Sequence, residues 1–195
     1  MTWDLPVEVE IDGQKHKIRN KCDYRVVLDV FGALNDKDLT DQEKIECALF
    51  IFYGNDDLKT PEKVMKALGS DIQLAVDEMM RIISGGTREE RPQGEQKPQL
   101  MDWEHDFPQL APPISRVLGY SVRDANKYTH WYDFLGAYME IGECVFAQII
   151  SIRSKKIKGK KLEKYEREFY EENKRMVDLP NRLSSEEAEW LNSDW

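Results

Sequence analysis

The sequence predicts a mainly α-helical protein, a helical bundle in two halves, with an N-terminal β-hairpin. Through most of the chain, apolar residues recur every three or four positions, which is the period of an amphipathic helix. Near the N-terminus they alternate with charged residues instead, which is the period of a half-buried strand. With 195 residues, of which 41% are hydrophobic, the chain is long enough to bury a sizeable core.

The hairpin is predicted over residues 1–21. The apolar residues Val7, Val9 and Ile11 alternate with two glutamates, and the turn dipeptide Asp12-Gly13 follows them. Asp-Gly is favoured where both residues of a tight turn need positive φ. An isolated hairpin is marginal in water, so we expect it to pack on the rest of its domain or on another subunit.

Residues 22–86 predict the first helical half, with four helices that each have a start signal. Ser, Thr and Asp side chains can satisfy the unpaired amides of a first helical turn. The predicted caps are Asp23, the capping box Thr40–Glu43, Thr60 before Pro61, and Ser70 or Asp71. Glycines are predicted to end the last three helices. These are Gly54, Gly69 and the pair Gly85-Gly86.

The composition changes over residues 87–99, which read TREERPQGEQKPQ. This segment has no large apolar residue and cannot bury a face, so we predict an exposed linker. The second helical half is predicted over residues 100–178, followed by an acidic tail over residues 179–195. Ser184 and Glu187 have capping-box spacing within that tail.

Four features organise the second half. An aromatic-acidic helix begins near Met101, and Pro112-Pro113 is expected to interrupt or restart it, because proline removes an amide donor and clashes with the preceding turn. A helix carrying Trp131 is expected to begin at Ser121 or Asp124. Gly142 separates it from an aliphatic helix, and a charged helix follows that reaches about Arg175.

Residue types that carry catalysis are sparse and scattered. His105 lies between two acids, but consecutive residues of a helix point about 100° apart and do not converge on one ion. His16 is expected at the surface and His130 packed. No HExxH, GxSxG or phosphate-loop pattern occurs. We therefore predict that the chain is not an enzyme and has no catalytic, cofactor-binding or metal-binding residues.

The cysteines and the hydropathy give two further expectations. Cys22, Cys47 and Cys144 lack the spacing of zinc or redox motifs, which is typical of buried thiols in a reducing cytoplasm. No apolar run approaches the roughly 18 residues that cross a bilayer, and the start of the chain lacks the pattern of a signal peptide. We expect no contact with a membrane.

A net charge of −9 disfavours general nucleic-acid binding. The exception is the stretch 153–161, which contains six basic residues and no acid. Three interpretations stay open. They are a nucleic-acid or anion contact, a helix C-terminus whose cations complement the dipole before a solvated connector, and a contact to an acidic surface of another subunit. No aromatic residue interleaves with the lysines, which disfavours single-strand binding.

Residues 101–138 are rich in aromatic side chains, and the helix around Trp131 is apolar on nearly every side. Such a helix is either deeply buried or meets a partner, and Trp and Tyr are favoured interface anchors. We therefore predict a partner-binding surface on this helix and the elements that follow. Its residues are Trp131, Phe134, Tyr138, Phe146, Ile149, Lys155 and Lys156.

Four motifs of the second half occur together. They are MDWEHD from Met101, VLGY from Val117, THWYDFL from Thr129 and FAQIISIR from Phe146. This combination resembles the bacteriophage gene-product-fifteen family, the tail-assembly proteins of long-tailed phages and prophages of Gram-positive bacteria. The similarity covers roughly residues 22–175. Tyr132 stands where the family usually has a second tryptophan.

The resemblance implies a non-catalytic tail assembly chaperone that binds the tape-measure protein, promotes assembly of tail tube protein around it and forms a homo-oligomer. It also implies action in the cytoplasm of the bacterial host and absence from the mature virion. The alternative is a nucleic-acid-contacting phage protein that uses the basic stretch 153–161.

Overall fold

The computed structural model describes residues 4–86 and 98–180, which are 60% helical and hold nine α-helices and a two-stranded antiparallel hairpin. The predicted fold class, mainly α with an N-terminal hairpin, is confirmed. Most of the predicted linker and the tail beyond Pro180, with its Ser184 and Glu187, lie outside the described residues. The chain divides into two compact units. One contains the described residues 4–86 and 128–135, and the other contains 98–127 and 136–180.

The hairpin has the predicted turn. Strand β1 spans Glu8–Ile11 and strand β2 spans Gln14–Lys17, with Val9 opposite His16. Both residues of the Asp12-Gly13 turn have positive φ, 51° and 74°. Val9 and Ile11 are buried, which gives the hairpin the support that an isolated pair of strands lacks.

Four helices complete the main part of the first unit. They are α1 (Tyr24–Asn35), α2 (Asp41–Tyr53), α3 (Pro61–Leu68) and α4 (Ile72–Ile83). The predicted caps are confirmed, with side chains of Asp23, Thr40, Thr60 and Asp71 accepting from first-turn amides. Helix α2 packs on α1, α3 and α4, and β1 packs on α4.

The end of α2 is closed by Arg19, which lies in a short 3-10 turn after the hairpin. Its guanidinium donates to the carbonyl oxygens of Phe50 at 2.8 Å and Gly54 at 2.9 Å. A Cβ atom at Gly54 would meet this guanidinium and would lie 2.5 Å from the carbonyl oxygen of Phe50. The position therefore needs glycine for space.

We expect Gly54→Ala to lower the free energy of unfolding by about 1–3 kcal/mol, because the added methyl displaces Arg19 from the helix end. Gly32→Ala is the matched control. Gly32 lies inside α1 and a Cβ there has no neighbour within 4 Å. Since alanine is the better helix former, that change is expected to stabilise the chain by about 0.5–1 kcal/mol. Urea unfolding of both variants tests the prediction. Changes in the free energy of unfolding that have the same sign in the two variants would contradict it.

Helix α5 spans Trp103–Leu118 without a break, so the predicted interruption at Pro112-Pro113 is wrong. Leu110, Ala111 and Ile114 are buried along one face, and this burial offsets the hydrogen bonds that the prolines cannot donate. The carbonyls that lack an amide donor because of Pro108 and Pro112 belong to Glu104 and Pro108. Both of these residues are exposed, so water can satisfy their carbonyls.

Helix α6 spans Trp131–Met139 and begins later than predicted. Local hydrogen bonds hold the preceding segment in turns. The amide of Asn126 donates to a carboxylate oxygen of Asp124 at 2.9 Å, and the amide of Lys127 donates to the Asp124 carbonyl at 3.1 Å. Aspartate side chains that bond nearby amides compete with helix formation, so neither Ser121 nor Asp124 begins the helix.

Three helices follow in the second unit. Helix α7 spans Val145–Ile157, α8 spans Lys164–Glu172 and α9 spans Lys174–Val177. The charged helix predicted to reach about Arg175 is thus two helices. Asn173 separates them with φ −126° and ψ 29°, while its side-chain amide donates to the carbonyl oxygen of Phe169 at 2.9 Å.

Candidate functional site

Two of the predicted partner-binding residues, Trp131 and Phe134, lie in the interior. Trp131 is 1% exposed, and its indole N–H donates to the carbonyl oxygen of Ile83 at 2.9 Å. Its ring stacks on Phe134, which stacks in turn on Tyr24 at 4.3 Å between ring centroids. The expectation that these aromatics face outward is therefore corrected. The indole finds its hydrogen-bond partner inside the unit, and the three rings pack on one another.

An extended segment before α6 positions Trp131. The amide of Trp131 donates to the carbonyl of Cys22 at 2.8 Å, and the amide of Tyr24 donates to the carbonyl of Thr129 at 2.9 Å. His130 is fully buried between these contacts. Its Nδ1 accepts from the amide of Tyr132, so its Nε2 carries the proton and donates to the carbonyl oxygen of Pro6 at 3.0 Å. Both ring nitrogens are thus engaged in holding the fold.

Three further predicted residues lie in the second unit. Tyr138 is half-buried, with its ring 5.3 Å from that of Trp103 and 6.3 Å from that of Phe146. Phe146 and Ile149 are buried. Ile149 belongs to an apolar cluster with Ile152 and Val177. In this conformation, Phe146 and Ile149 contribute to the core rather than to the surface.

A buried ion pair organises the second unit. Arg153 and Asp106 have side chains that are 5% and 0% exposed, and two hydrogen bonds of 2.7 and 2.8 Å join them. The same guanidinium donates to the carbonyl oxygens of Leu100, Met176 and Val177. The sequence placed Arg153 at the head of an exposed basic stretch and did not identify its partner. Asp106 is the last residue of the MDWEHD motif and Arg153 is the last residue of FAQIISIR, and this shared membership in the motifs was the signal in the sequence that could have pointed to both.

The two lysines predicted to bind a partner, Lys155 and Lys156, are paired as well. Both carboxylate oxygens of Glu166 accept from the ammonium of Lys155, at 2.6 and 2.7 Å. Lys156 pairs with Asp178 and lies 3.8 Å from the ring centroid of Tyr170. These contacts fasten α8 and α9 to α7. Three charges of the stretch 153–161 are therefore neutralised inside the unit.

We expect the Lys155–Glu166 contact to weaken in acid. Hydrogen bonds from Lys155 and from the amide of Glu163 hold the pKa of Glu166 below its ordinary value of 4.5. A lowered folded-state pKa contributes stability above pH 4.5 that is lost as the pH falls further. The difference in free energy of unfolding between the unchanged chain and Glu166→Gln should therefore shrink below that pH. A difference in free energy of unfolding that is constant with pH would contradict this prediction. Glu168→Gln is the control, because Glu168 belongs to an exposed pair with a longer N–O distance.

Three observations on the described residues concern a buried thiol, metal binding and membrane crossing. Burial raises the pKa of the Cys22 thiol to about 12, so this cysteine is not a nucleophile at neutral pH. Residues 4–86 and 98–180 contain no group of three His, Cys, Asp or Glu side chains that could hold a metal ion. Nor does any helix in those ranges have the length and hydropathy needed to cross a membrane.

Among the described residues of the second unit, five large apolar side chains are exposed. They are Val117, Met139, Val145, Ile157 and Tyr165. Met139 and Tyr165 are the most exposed, at 70% and 62%. In the described conformation these residues are exposed enough for a partner to contact, unlike the buried aromatics. The same holds in the first unit for Leu5, Val7, Ile45 and Tyr128. Each of the five in the second unit lies at or next to an end of its helix, where sequence periodicity does not show whether a neighbouring element covers the side chain.

Comparison with known protein families gives a match over most of the chain. The model of a family described as "Bacteriophage Gp15 protein" matches residues 1–179. The matched range includes the hairpin, which lay outside the similarity carried by the motifs. Neither a curated protein nor a solved structure matches the chain.

Proposed function

Because the chain belongs to the bacteriophage Gp15 protein family, we propose that this phage protein is a tail assembly chaperone. It binds the tape-measure protein without catalysing a reaction and promotes assembly of tail tube protein around it. The family match over residues 1–179 is the observation that carries the proposal. The proposal places the action of the protein in the host cytoplasm. Since a chaperone leaves its client, the protein is also expected to be absent from the mature virion.

The distribution of apolar surface supports a binding role. A chaperone needs several weak apolar contacts that form and break readily, because tight burial would prevent release. The five exposed side chains of the second unit are spread over α5, α6, α7 and α8. Self-association would multiply such contacts through effective concentration. We therefore propose Met139 and Val145 as client-contacting residues.

The nucleic-acid alternative has less support. Phosphate binding needs basic side chains that are free to replace counterions. Arg153, Lys155 and Lys156 are instead paired with Asp106, Glu166 and Asp178. This pairing reduces the positive charge that the basic stretch presents to a ligand.

Co-purification of the full chain with its phage's tape-measure protein tests the proposed function. We expect a complex that Val145→Asp and Met139→Gln each weaken about tenfold, the scale of one apolar anchor at an interface. Ser151→Asp is the matched control, because it adds a charge at an exposed position of α7 without removing apolar surface. Failure to capture the tape-measure protein at any stoichiometry would contradict the proposal.

A further inference from the structure

The connection between α7 and α8 concentrates positive charge on a chain whose net charge is −9. Residues 157–165, here called the basic corner, contain four lysines and one glutamate. Lys158, Lys160 and Lys161 are exposed and form no ion pair with any described residue. Ile157 and Tyr165 flank them and are 47% and 62% exposed. The corner therefore offers both charge and apolar contact to an acidic ligand.

Hydrogen bonds fix the backbone of the basic corner at both ends. Helix α7 closes with the amide of Gly159 donating to the carbonyl of Lys156 at 3.1 Å and the amide of Lys160 donating to that of Lys155 at 2.8 Å. Gly159 has the positive φ, 63°, that this closure requires. The amide of Glu163 donates to the side chain of Glu166 at 2.9 Å. A pre-ordered surface loses little entropy on binding.

The sequence contains a segment of matching chemistry. Residues 183–195 carry four carboxylate side chains, no lysine or arginine, and two tryptophans. The carboxylates complement the three lysines of the basic corner. Trp190 and Trp195 are suited to contact Ile157 and Tyr165, because tryptophan is the residue most enriched among interface anchors.

We propose that the basic corner binds the acidic segment 183–195 of a second copy of this chain. Copies then join head to tail, since the corner of one copy holds the C-terminal segment of the next. A contact between two different surfaces generates rings or filaments rather than closed pairs. The inference rests on the proposed function, in which self-association multiplies the weak contacts to the client, and that requirement assigns the segment to a second copy.

Charge reversal in the full chain tests this proposal. The corner variant combines Lys158→Glu, Lys160→Glu and Lys161→Glu, and the tail variant combines Glu186→Lys, Glu187→Lys and Glu189→Lys. We expect the unchanged chain to associate as its concentration rises in sedimentation experiments. Each variant alone should associate more weakly than the unchanged chain by a factor of about ten or more, because like charges then face each other. Circular dichroism establishes that both variants are folded.

Mixing the two variants is the decisive arm. The reversed corner then meets a reversed tail and the unchanged corner meets an unchanged tail, so association should return to the level of the unchanged chain. A monomeric unchanged chain would overturn the proposal and would be consistent with a contact within one chain. Variants that associate normally, or a mixture that stays monomeric, would overturn it by indicating that the basic corner and the acidic segment do not face each other. So would a corner variant whose only defect is weaker retention on DNA or RNA. Capture of the tape-measure protein is measured separately. If a monomeric chain captures it, this inference is contradicted and the proposed function is still supported.

Discussion

Arg153→Met is expected to lower the free energy of unfolding by about 3–5 kcal/mol, because it leaves the Asp106 carboxylate buried without its counter-charge. Asp106 is fully buried, and Arg153 supplies both of its charged hydrogen bonds. The substitution also removes the donors to three backbone carbonyls, including those of Met176 and Val177 at the end of α9. The second unit should therefore lose the attachment of its C-terminal helices.

Two further variants separate the buried charge from a general loss of contacts. Lys164→Met removes a partner from an exposed pair with an N–O distance of 3.9 Å and is expected to change stability by under about 0.5 kcal/mol. Combining Arg153→Met with Asp106→Leu removes both charges. This double variant should recover part of the lost stability, since an apolar pair carries no desolvation penalty. A double variant less stable than Arg153→Met would contradict the account of this ion pair.

Trp131→Ala is expected to cost about 3–5 kcal/mol, the range for truncating a buried aromatic side chain. The change opens a cavity beside Phe134 and Phe31, whose rings contact the indole. It also leaves the carbonyl oxygen of Ile83 without its donor. Urea unfolding followed by circular dichroism measures the loss.

Met139→Ala is the matched control for this prediction. It truncates a side chain of the same helix that is 70% exposed, and surface changes of this kind fall within about 0.5 kcal/mol. Similar small losses for both variants would contradict the assignment of Trp131 to the core. They would restore the surface role that the sequence predicted for it.

Elements specified by neighbouring residues were predictable from the sequence. The turn at Asp12-Gly13 and the capping box of Thr40 and Glu43 depend on backbone preferences within a few positions, so their patterns sufficed. The continuity of α5 through Pro112-Pro113 was not predictable in this way. It depends on burial of Leu110 and Ile114, which is a tertiary effect.

Candidate site residues were harder to predict than helices, because periodicity gives the apolar face of a helix and not what covers it. Trp131 was correctly placed on an apolar helix, yet its partner Ile83 lies 48 positions earlier. Arg153 and Asp106 are 47 positions apart, so the basic stretch looked uniformly exposed. Only the fold shows that its first three cations are paired and that its last three lysines are exposed.

The central proposal is that this chain binds the tape-measure protein and holds it in a soluble complex for tail assembly. Light scattering during dilution of denatured tape-measure protein, with and without an excess of the full chain, tests it most directly. The account predicts that the chain suppresses the scattering and that the client is recovered in a soluble complex. Scattering that rises equally with and without the chain, with the client recovered only as aggregate, would contradict it.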